Sequence, residues 1–508
     1  MDLRRKQPFM TTRTKSSSHY DATIVGYGPT GATLANLLGL CGLKTLVLER
    51  EAAAYHLPRA VHFDDEVMRV FQTVGIAEDL AKTIRVNAGM RFVDTDGNLL
   101  LDWPRPQEIG PNGWHASYRF HQPDLEDILR KAVERFDNVA VRSRADVSLV
   151  KDHGDMAEVQ YEDLATGQRC MVRSKYAIGC DGARSLVRRF IGTGMEDLGF
   201  HERWLVIDVI LKRPKPELRD YSVQYCNPER PATYCRSPGN RRRWEITVLD
   251  HEIDNEITKT ESIWALLKPW LSPDEAEIER NAVYTFQSAI AEKWRAGRIL
   301  IAGDAAHLTP PFMGQGMCTG IRDAANLAWK IALCVKDKAP QSLLDTYQSE
   351  RQPHAREYIE TAIRLGALIN YTDSSEALRR TFPQNDGSAR MESRKPALGD
   401  GLAAGCQNHR GHLFPQPRLS DARLMDDVCG YVPVLLTAIS QSKEPVMNAS
   451  GLRILSANSE PDIRLCLEKL GVKAALVRPD RYILGTANTE DELGALLSCG
   501  LESPLPTD

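Results

Sequence analysis

Residues Asp21–Arg50 read DATIVGYGPTGATLANLLGLCGLKTLVLER. Asp21 to Val25 is short and rich in β-formers, and Gly26, Gly28 and Gly31 follow at the spacing G-x-G-x-x-G. Glycines so placed allow a tight turn and a close backbone approach to a pyrophosphate. Pro29 stands where a helix begins, because its missing N–H costs nothing in the first turn. Leu34, Leu37, Leu38 and Cys41 share one helical face, Gly42 ends the helix, and Thr45 to Leu48 forms a second β-run closed by Glu49. An acid at that distance accepts a hydrogen bond from adenosine ribose hydroxyls and repels a 2′-phosphate, which favours FAD or NAD over NADP at this site. Strand, turn, helix, strand and acid together predict a dinucleotide site, with Thr30 and Arg50 within it.

A chain of 508 residues is long enough for two or three domains. Its net charge of -4 gives no electrostatic reason to expect nucleic acid or an anionic membrane as partner. No uninterrupted apolar stretch of about 20 residues occurs, which argues against a membrane span. The eleven cysteines are scattered, without C-x-x-C or paired His/Cys spacing. Neither a metal centre nor a redox dithiol is expected, and a reducing, cytoplasmic compartment fits. Residues 1–20, MDLRRKQPFMTTRTKSSSHY, are basic and hydroxyl-rich and lack an apolar segment. They read as a disordered arm or an organelle-targeting presequence, not as a secretory signal.

Beyond the opening unit, Val67, Val70, Phe71 and Val74 recur at helical spacing. Arg59, just before them, is the one cation in a loop expected near the cofactor, although composition alone equally allows a solvated surface arginine. Arg91 to Trp103 alternates around Asp96-Gly97, a hairpin signal. Trp114 to Phe120 reads as a strand leading to Gln122-Pro123 and an amphipathic helix over Asp124 to Phe136. Ala140 to Val172 reads as a β-meander and Tyr176 to Gly179 as a separate short strand. That strand enters GCDGARSLVRR, where Asp181-Gly182 and Arg184, Arg188 and Arg189 suit either phosphate handling or a capped turn before a basic helix. Trp204–Leu211, Tyr221–Cys226, Pro231–Arg236 and Arg243–Leu249 read as strands of an inserted antiparallel sheet, a natural place for a substrate pocket.

In RILIAGDAAHLTPPFMGQGMCTGIRDAANLAWK, Arg298 to Lys330, an apolar strand ends at Gly303-Asp304, and Pro311, Gly314, Gln315 and Gly316 lead into a long helix. Asp304 suits a flavin ribityl chain, and Gly314 to Met317 can present backbone donors to a ring. His307 reads as a structural histidine before it reads as a base. Leu343 to Leu365 continues as helix, 371–399 as linker, and a small α/β unit follows: strands Tyr431–Leu436 and Leu452–Ala457, helix Pro461–Leu470, a hairpin of Ala474–Arg478 with Arg481–Gly485, and helix Asp491–Leu497.

The three motifs GYGPTG with Glu49, GCDGARS and GDAAHLTPPFMGQGM together resemble the single-component FAD-dependent aromatic hydroxylases. LPRAVHFDDEVMRVFQTVGI, the Gln122-Pro123 helix start, NRRRWE and LLDTYQSERQPHA are similar to the 3-(3-hydroxyphenyl)propionate hydroxylase and phenol hydroxylase branch. The resemblance implies an α/β fold. Its parts are a discontinuous Rossmann-like FAD-binding domain (21–90, 114–200 and 282–370), an inserted antiparallel-sheet substrate domain (91–113 and 201–281) and a thioredoxin-like C-terminal domain (400–508) lacking redox cysteines. It further implies that Gly26, Gly28, Gly31 and Glu49 hold the ADP half of FAD, and that Asp181 and Gly182 serve FAD and a transient nicotinamide. By the same resemblance Asp304 meets the ribityl chain, Arg59 follows the mobile flavin, Gln122 contacts the cofactor, and Pro311 with Gly314 to Cys318 lies along the isoalloxazine. Cys318 replaces an asparagine that many relatives carry.

The implied activity is hydroxylation of a phenol by O2 through a flavin C4a-hydroperoxide, with FAD reduced by NADH or NADPH, in a homodimer. The residues do not single out the group that activates the phenol; His115, Tyr118, Tyr225 and His307 are the candidates. A nicotinamide-dependent dehydrogenase would leave the GDAAH and GQG loops without a task. An epoxidase, a halogenase or a non-catalytic flavin-binding protein shares parts of the scaffold.

Overall fold

The computed structural model describes residues 19–54, 58–337, 339–369, 380–382, 389–402, 408–439 and 451–498. The expected N-terminal arm lies outside the described residues except for His19 and Tyr20, which open the first strand, and most of the expected linker lies outside them as well.

The fold is mixed α/β with several sheets. The first sheet runs in the order Arg295–Ala296, Ile299–Ile301, Gln168–Gly179, His19–Val25, Thr45–Leu48 and Val139–Arg142. Its central strands pair in parallel. Residues 22–25 of the first strand are therefore almost wholly buried, as a strand covered on both faces requires. The helix Pro29–Leu40 follows the glycine turn and buries Leu34, Leu37 and Leu38, with Cys41 at its C-cap.

Two strand expectations change. Tyr176–Gly179 is not a separate strand but the end of a continuous one, Gln168–Gly179. Its first half pairs antiparallel with Ala157–Asp163 and its second half in parallel with His19–Val25. The first strand of the expected meander, Val139–Arg142, instead joins the parallel sheet beside Thr45–Leu48. The helix expected from Asp124 starts at Gln122, with Pro123 in its first turn.

The second large sheet contains His307–Leu308, Ala276–Ala291, Met195–Leu211, Arg241–Thr247, Ala232–Arg236, Ser222–Tyr225 and the hairpin Gly89–Val93/Leu99–Pro104. The hairpin turns at Asp96-Gly97 and joins through parallel pairing of Gly89–Val93 with Ser222–Tyr225. Ala276–Ala291 and Met195–Leu211 are long and continuous, so this sheet reaches from the substrate side back to the cofactor side. One face packs Leu205, Ile207, Val209, Trp244 and Ile246 on Ile263 and Leu267 of the helix Thr260–Leu267. The opposite face, toward the first sheet, carries Asp208, Arg243, Glu245, Ser222 and Gln224 by strand alternation.

The C-terminal unit has a four-stranded sheet ordered Arg453–Ser456, Val434–Thr437, Ala474–Val477, Ile483–Ala487, with helices Pro461–Leu470 and Glu490–Ser498. Buried charge fastens it to the rest. Glu350 of the long helix Asp345–Ile369 accepts from Arg478 at 2.9 Å and from Lys330 at 2.6 Å. Asp426 accepts from Arg69 and lies 3.0 Å from Arg481.

Candidate active site

Each fingerprint glycine has its own physical reason. Gly26 has φ +99, and a Cβ there would lie 2.4 Å from the Cys180 carbonyl oxygen. A Cβ at Gly31 would lie 2.2 Å from Gly26 O. At Gly28 a Cβ would meet nothing within 4 Å, so this is the face left open for a ligand. The helix that starts at Pro29 has no side-chain cap and no acid in its first turn, and the helix Gly316–Ala332 shares both properties. Their first-turn N–H groups suit an anion.

Glu49 closes the cradle from the neighbouring strand. Its Oε2 accepts from Tyr27 N at 2.7 Å and its Oε1 from Glu51 N at 2.8 Å. Arg50 is exposed and pairs with Glu51. Thr30 is wedged between two further glycines, since a Cβ at Gly303 or Gly320 would lie 2.7 or 2.4 Å from its Oγ1. The first and third motifs are thus in direct contact. Arg188 ties in the second by donating to Ala305 O at 2.9 Å and Ala183 O at 2.7 Å.

Asp181 caps the short helix Leu186–Ile191, accepting from Ser185 Oγ at 2.5 Å and from Leu186 N and Val187 N at 2.7 and 3.1 Å. Gly182 beside it has φ +78. Asp304 is exposed, although Gly303 and Ala305 on either side of it are buried. Desolvation there raises its carboxyl above the usual range, opposed by His307 and Arg59. The Gly303-Asp304 turn is held from behind by Asp323, which accepts from Gly303 N at 3.0 Å, His307 Nε2 at 2.7 Å and Arg351 Nε at 3.0 Å.

Arg59 leaves a backbone clamped from two sides. Gln122 Oε1 accepts from Arg59 N and Ala60 N, while Arg243 donates to Arg59 O at 2.7 Å and Pro58 O at 2.6 Å. Gln122 Nε2 donates to Glu126, and Arg130 lies 3.6 Å from Glu126 and donates to Tyr27 O. A continuous polar chain therefore joins the glycine turn to Arg59. Both ends of the Gln122 side chain are engaged with protein, Oε1 by Arg59 N and Ala60 N and Nε2 by Glu126.

The loop before the long helix is seated in aromatic side chains. Phe312 lies 5.5 Å from Phe200 and 5.7 Å from Trp204, in a cluster with Phe92, Trp103 and Met313. Pro311 starts this turn and Gly314 ends it at φ +63. Gln315 donates to Asp64 at 3.1 Å and accepts from Arg322; Gly316 and Met317 open the helix, and Cys318 Sγ is buried against Gly314 O at 3.6 Å. His62, which no spacing in the sequence marks, touches this loop. Its Nδ1 is 3.3 Å from Gly314 O and its Nε2 is 2.7 Å from Ser117 Oγ.

The four residues considered for phenol activation do not converge. His307 is fully buried behind the Asp304 turn, bonded to Asp323 and tilted against Trp294 at 5.4 Å. Tyr118 stacks on Phe63 at 5.2 Å, and burial pushes its hydroxyl up to about 12. His115 donates its backbone N–H to that hydroxyl, and its ring lies 6.0 Å away. Tyr225 is on the far face of its sheet, 5.1 Å from Trp270, beside a surface recess of about 340 Å³ that Lys215 and Tyr234 also line. Strand alternation gives its parity; only the structure shows which face meets the cofactor side.

Residues 19–362 match the family described as FAD binding domain. The "Probable NADH-specific resorcinol 4-hydroxylase" of Rhodococcus jostii is 38% identical over 507 residues, covering 94% of this chain and 93% of its own length. The chain belongs to the FAD-dependent aromatic hydroxylases. A 3-(3-hydroxy-phenyl)propionate/3-hydroxycinnamic acid hydroxylase of Burkholderia cenocepacia is 37% identical over 426 residues, covering 80% of this hydroxylase and 77% of its own length. Among solved structures, the OxyS anhydrotetracycline hydroxylase from Streptomyces rimosus superposes with TM-score 0.78 at 25% identity, covering 96% of this hydroxylase and 100% of that chain. The open Gly28, the two uncapped helix starts and the accessible Asp304 fit the hydroxylase's cofactor, FAD. No helix among its described residues is long and apolar enough to cross a membrane.

Proposed function

We propose that this hydroxylase adds one oxygen atom of O2 to the ring of a phenol bearing a second substituent at the meta position, with NADH as reductant. The observation that carries this reading is the aromatic core packed under the Pro311–Gly314 loop, where Phe200, Trp204, Phe312 and Phe92 make an apolar, buried floor beside the cofactor loop that suits a ring-shaped substrate above it. The meta-substituted phenol class is supported by the names of the two relatives, a resorcinol hydroxylase and a 3-(3-hydroxyphenyl)propionate hydroxylase.

Bound FAD supplies the electron transfer from the nicotinamide and the activation of dioxygen. The chain's own residues do the rest. Gly26, Gly28, Gly31 and Glu49 hold the nucleotide end, and Asp304, fixed through Asp323, holds the ribityl region. The Gln122–Arg243 clamp sets the starting point of Arg59, whose guanidinium would meet the bound flavin from this loop. The buried sheet face and the Phe312 cluster exclude water, which the reactive oxygen species requires. The reading includes a homodimer in a cytoplasmic setting. The nine described cysteines, all free thiols, support the reducing compartment.

The test is oxidation of NADH and of NADPH by the purified holoenzyme with a panel of meta-substituted phenols, with peroxide and ring-hydroxylated product quantified together. Product formed in step with NADH consumption is the expected result. Slow oxidation giving only peroxide with every phenol would sink the assignment.

A further inference from the structure

Three basic side chains gather between the cofactor loop and the inner face of the second sheet. Arg119 and His62 are cross-strand partners in the small sheet of His62–Asp64, Ser117–Arg119 and Arg85–Val86. Arg105, at the end of the hairpin, stacks on Trp103 with its guanidinium 4.1 Å from the ring. Arg105 and Arg119 are close enough to repel each other, and both act on His62.

Their partners do not neutralise them. Arg119 is only 7% exposed, its Nη2 donates to Ser222 Oγ at 2.6 Å, and its Nε is buried with no partner. Arg105 donates to Ser393 Oγ. Neither forms an ion pair with a carboxylate among the described residues. The nearby acids are paired with other cations: Asp64 with Arg322, Asp65 with Lys395, Asp208 with Arg243 and Arg280, and Glu245, which also feels Arg119, with Arg243 at 3.7 Å. The charged and titratable groups that face Arg119 are His62 and Arg85 in its own sheet, Arg105 from the hairpin, and Cys235 and Glu245 from the inserted sheet.

A buried guanidinium with an unused N–H beside other cations is costly unless an anion completes it. The aromatic core beneath the proposed substrate site adjoins this cluster, because Trp103 and Phe92 belong to the same hairpin as Arg105. We propose that Arg119, with Arg105 beside it, binds an anionic oxygen of the aromatic substrate and is thereby a substrate-recognition residue of this hydroxylase. The inference rests on the phenol reading above and adds the residue that recognises charge. Two sources supply such an oxygen: the ionised phenol itself, or a carboxylate on a ring substituent.

Binding to the oxidised holoenzyme without nicotinamide, followed by the flavin absorbance change, tests this apart from turnover. If phenolate is the ligand, 4-nitrophenol binds to the unaltered enzyme as its coloured anion about one pH unit or more below its ionisation in solution. If carboxylate is the ligand, 3-(3-hydroxyphenyl)propionate binds about tenfold or more tighter than 3-propylphenol. Arg119→Gln removes whichever effect the unaltered enzyme shows, and Arg119→Lys restores part of it. FAD content and melting temperature confirm that each variant is folded. Where Arg119→Gln loses its fold, Ser222→Ala, which releases the Nη2 tether, gives a smaller loss in the same direction. An unaltered enzyme that shows neither the anion shift nor the carboxylate preference overturns the proposal, as does an Arg119→Gln holoenzyme that keeps the effect. Anion binding without hydroxylation of any phenol would leave this site standing and remove the phenol reading.

Discussion

Gln122 grips Arg59 by the backbone: its Oε1 accepts from Arg59 N at 2.9 Å and, in the same loop, from Ala60 N at 2.7 Å. Gln122→Leu leaves both N–H groups without their acceptor and frees the starting point of the Arg59 side chain. We expect FAD content near that of the unaltered enzyme, with reduction by NADH slowed by about ten- to a hundredfold, the scale of a small misplacement. Stopped-flow reduction beside flavin quantification checks this. Loss of FAD in proportion to the loss of rate would show that Gln122 holds the cofactor itself.

Gly28 and Gly31 separate ligand binding from folding. Gly28→Ala places a methyl group in open space at an ordinary backbone conformation, so the variant should fold with an unchanged melting temperature yet purify with little FAD. Gly31→Ala drives a Cβ into Gly26 O and should cost on the order of 1–3 kcal/mol in the apoprotein. Thermal melts of the two apoproteins distinguish the cases, and equal destabilisation would refute the separation.

Glu350 predicts a window of acid sensitivity. Burial by itself would raise its carboxyl, but Arg478 and Lys330 bring it down from 4.5 to about 2. Below 4.5 the unfolded chain takes up a proton that the folded one refuses, so this stabilisation is complete above 4.5 and drains away as pH falls toward 2. Its size is on the order of 3 kcal/mol. Glu350→Gln should lose about 3–5 kcal/mol at neutral pH, because two buried cations lose their counter-charge. Its stability should also fall less steeply than that of the unaltered enzyme below pH 4.5.

His62 acts in a neighbouring window. Burial, then Arg119 and Arg105, lower its imidazole from 6.5 to about 3. The unfolded chain is protonated between those values while the fold is not, so stability declines as pH drops from 6.5 and would be recovered only if the burden were removed. His62→Gln should flatten the melting temperature between pH 6.5 and 4.5, above the range in which Glu350 responds. An unaltered slope there would show that His62 already carries a proton in the fold.

The opening unit was legible because its physics is local. A tight turn, a close approach and a helix start each need a particular residue within a few positions, and Gly26, Gly28, Pro29 and Gly31 supply them. The C-terminal strands and helices were legible for the same reason, each being a short periodic run. Ala276–Ala291 carries little alternation because partly covered residues recur on both of its faces from Ile278 to Phe286 and its last four residues are all buried, which blurs the pattern that marks a strand. The clamp on Arg59 and the Arg119 cluster lay beyond reading by pattern. Arg243, Gln122 and Arg59 are far apart in the chain, and a charged residue in a strand looks the same whether it meets solvent or a buried carbonyl. The repeated cations of NRRRWE were the one hint, since solvent-facing positions alone seldom explain charge on both faces of a strand.

The wedge of Thr30 between Gly303 and Gly320 sets an order of events at the ribosome. The cradle that begins with the first glycines has no far wall until Gly320 has emerged, so the growing chain spends most of its synthesis without a place for the flavin. Colour should therefore arrive late, and chains cut short before Gly303 should remain colourless even when FAD is plentiful.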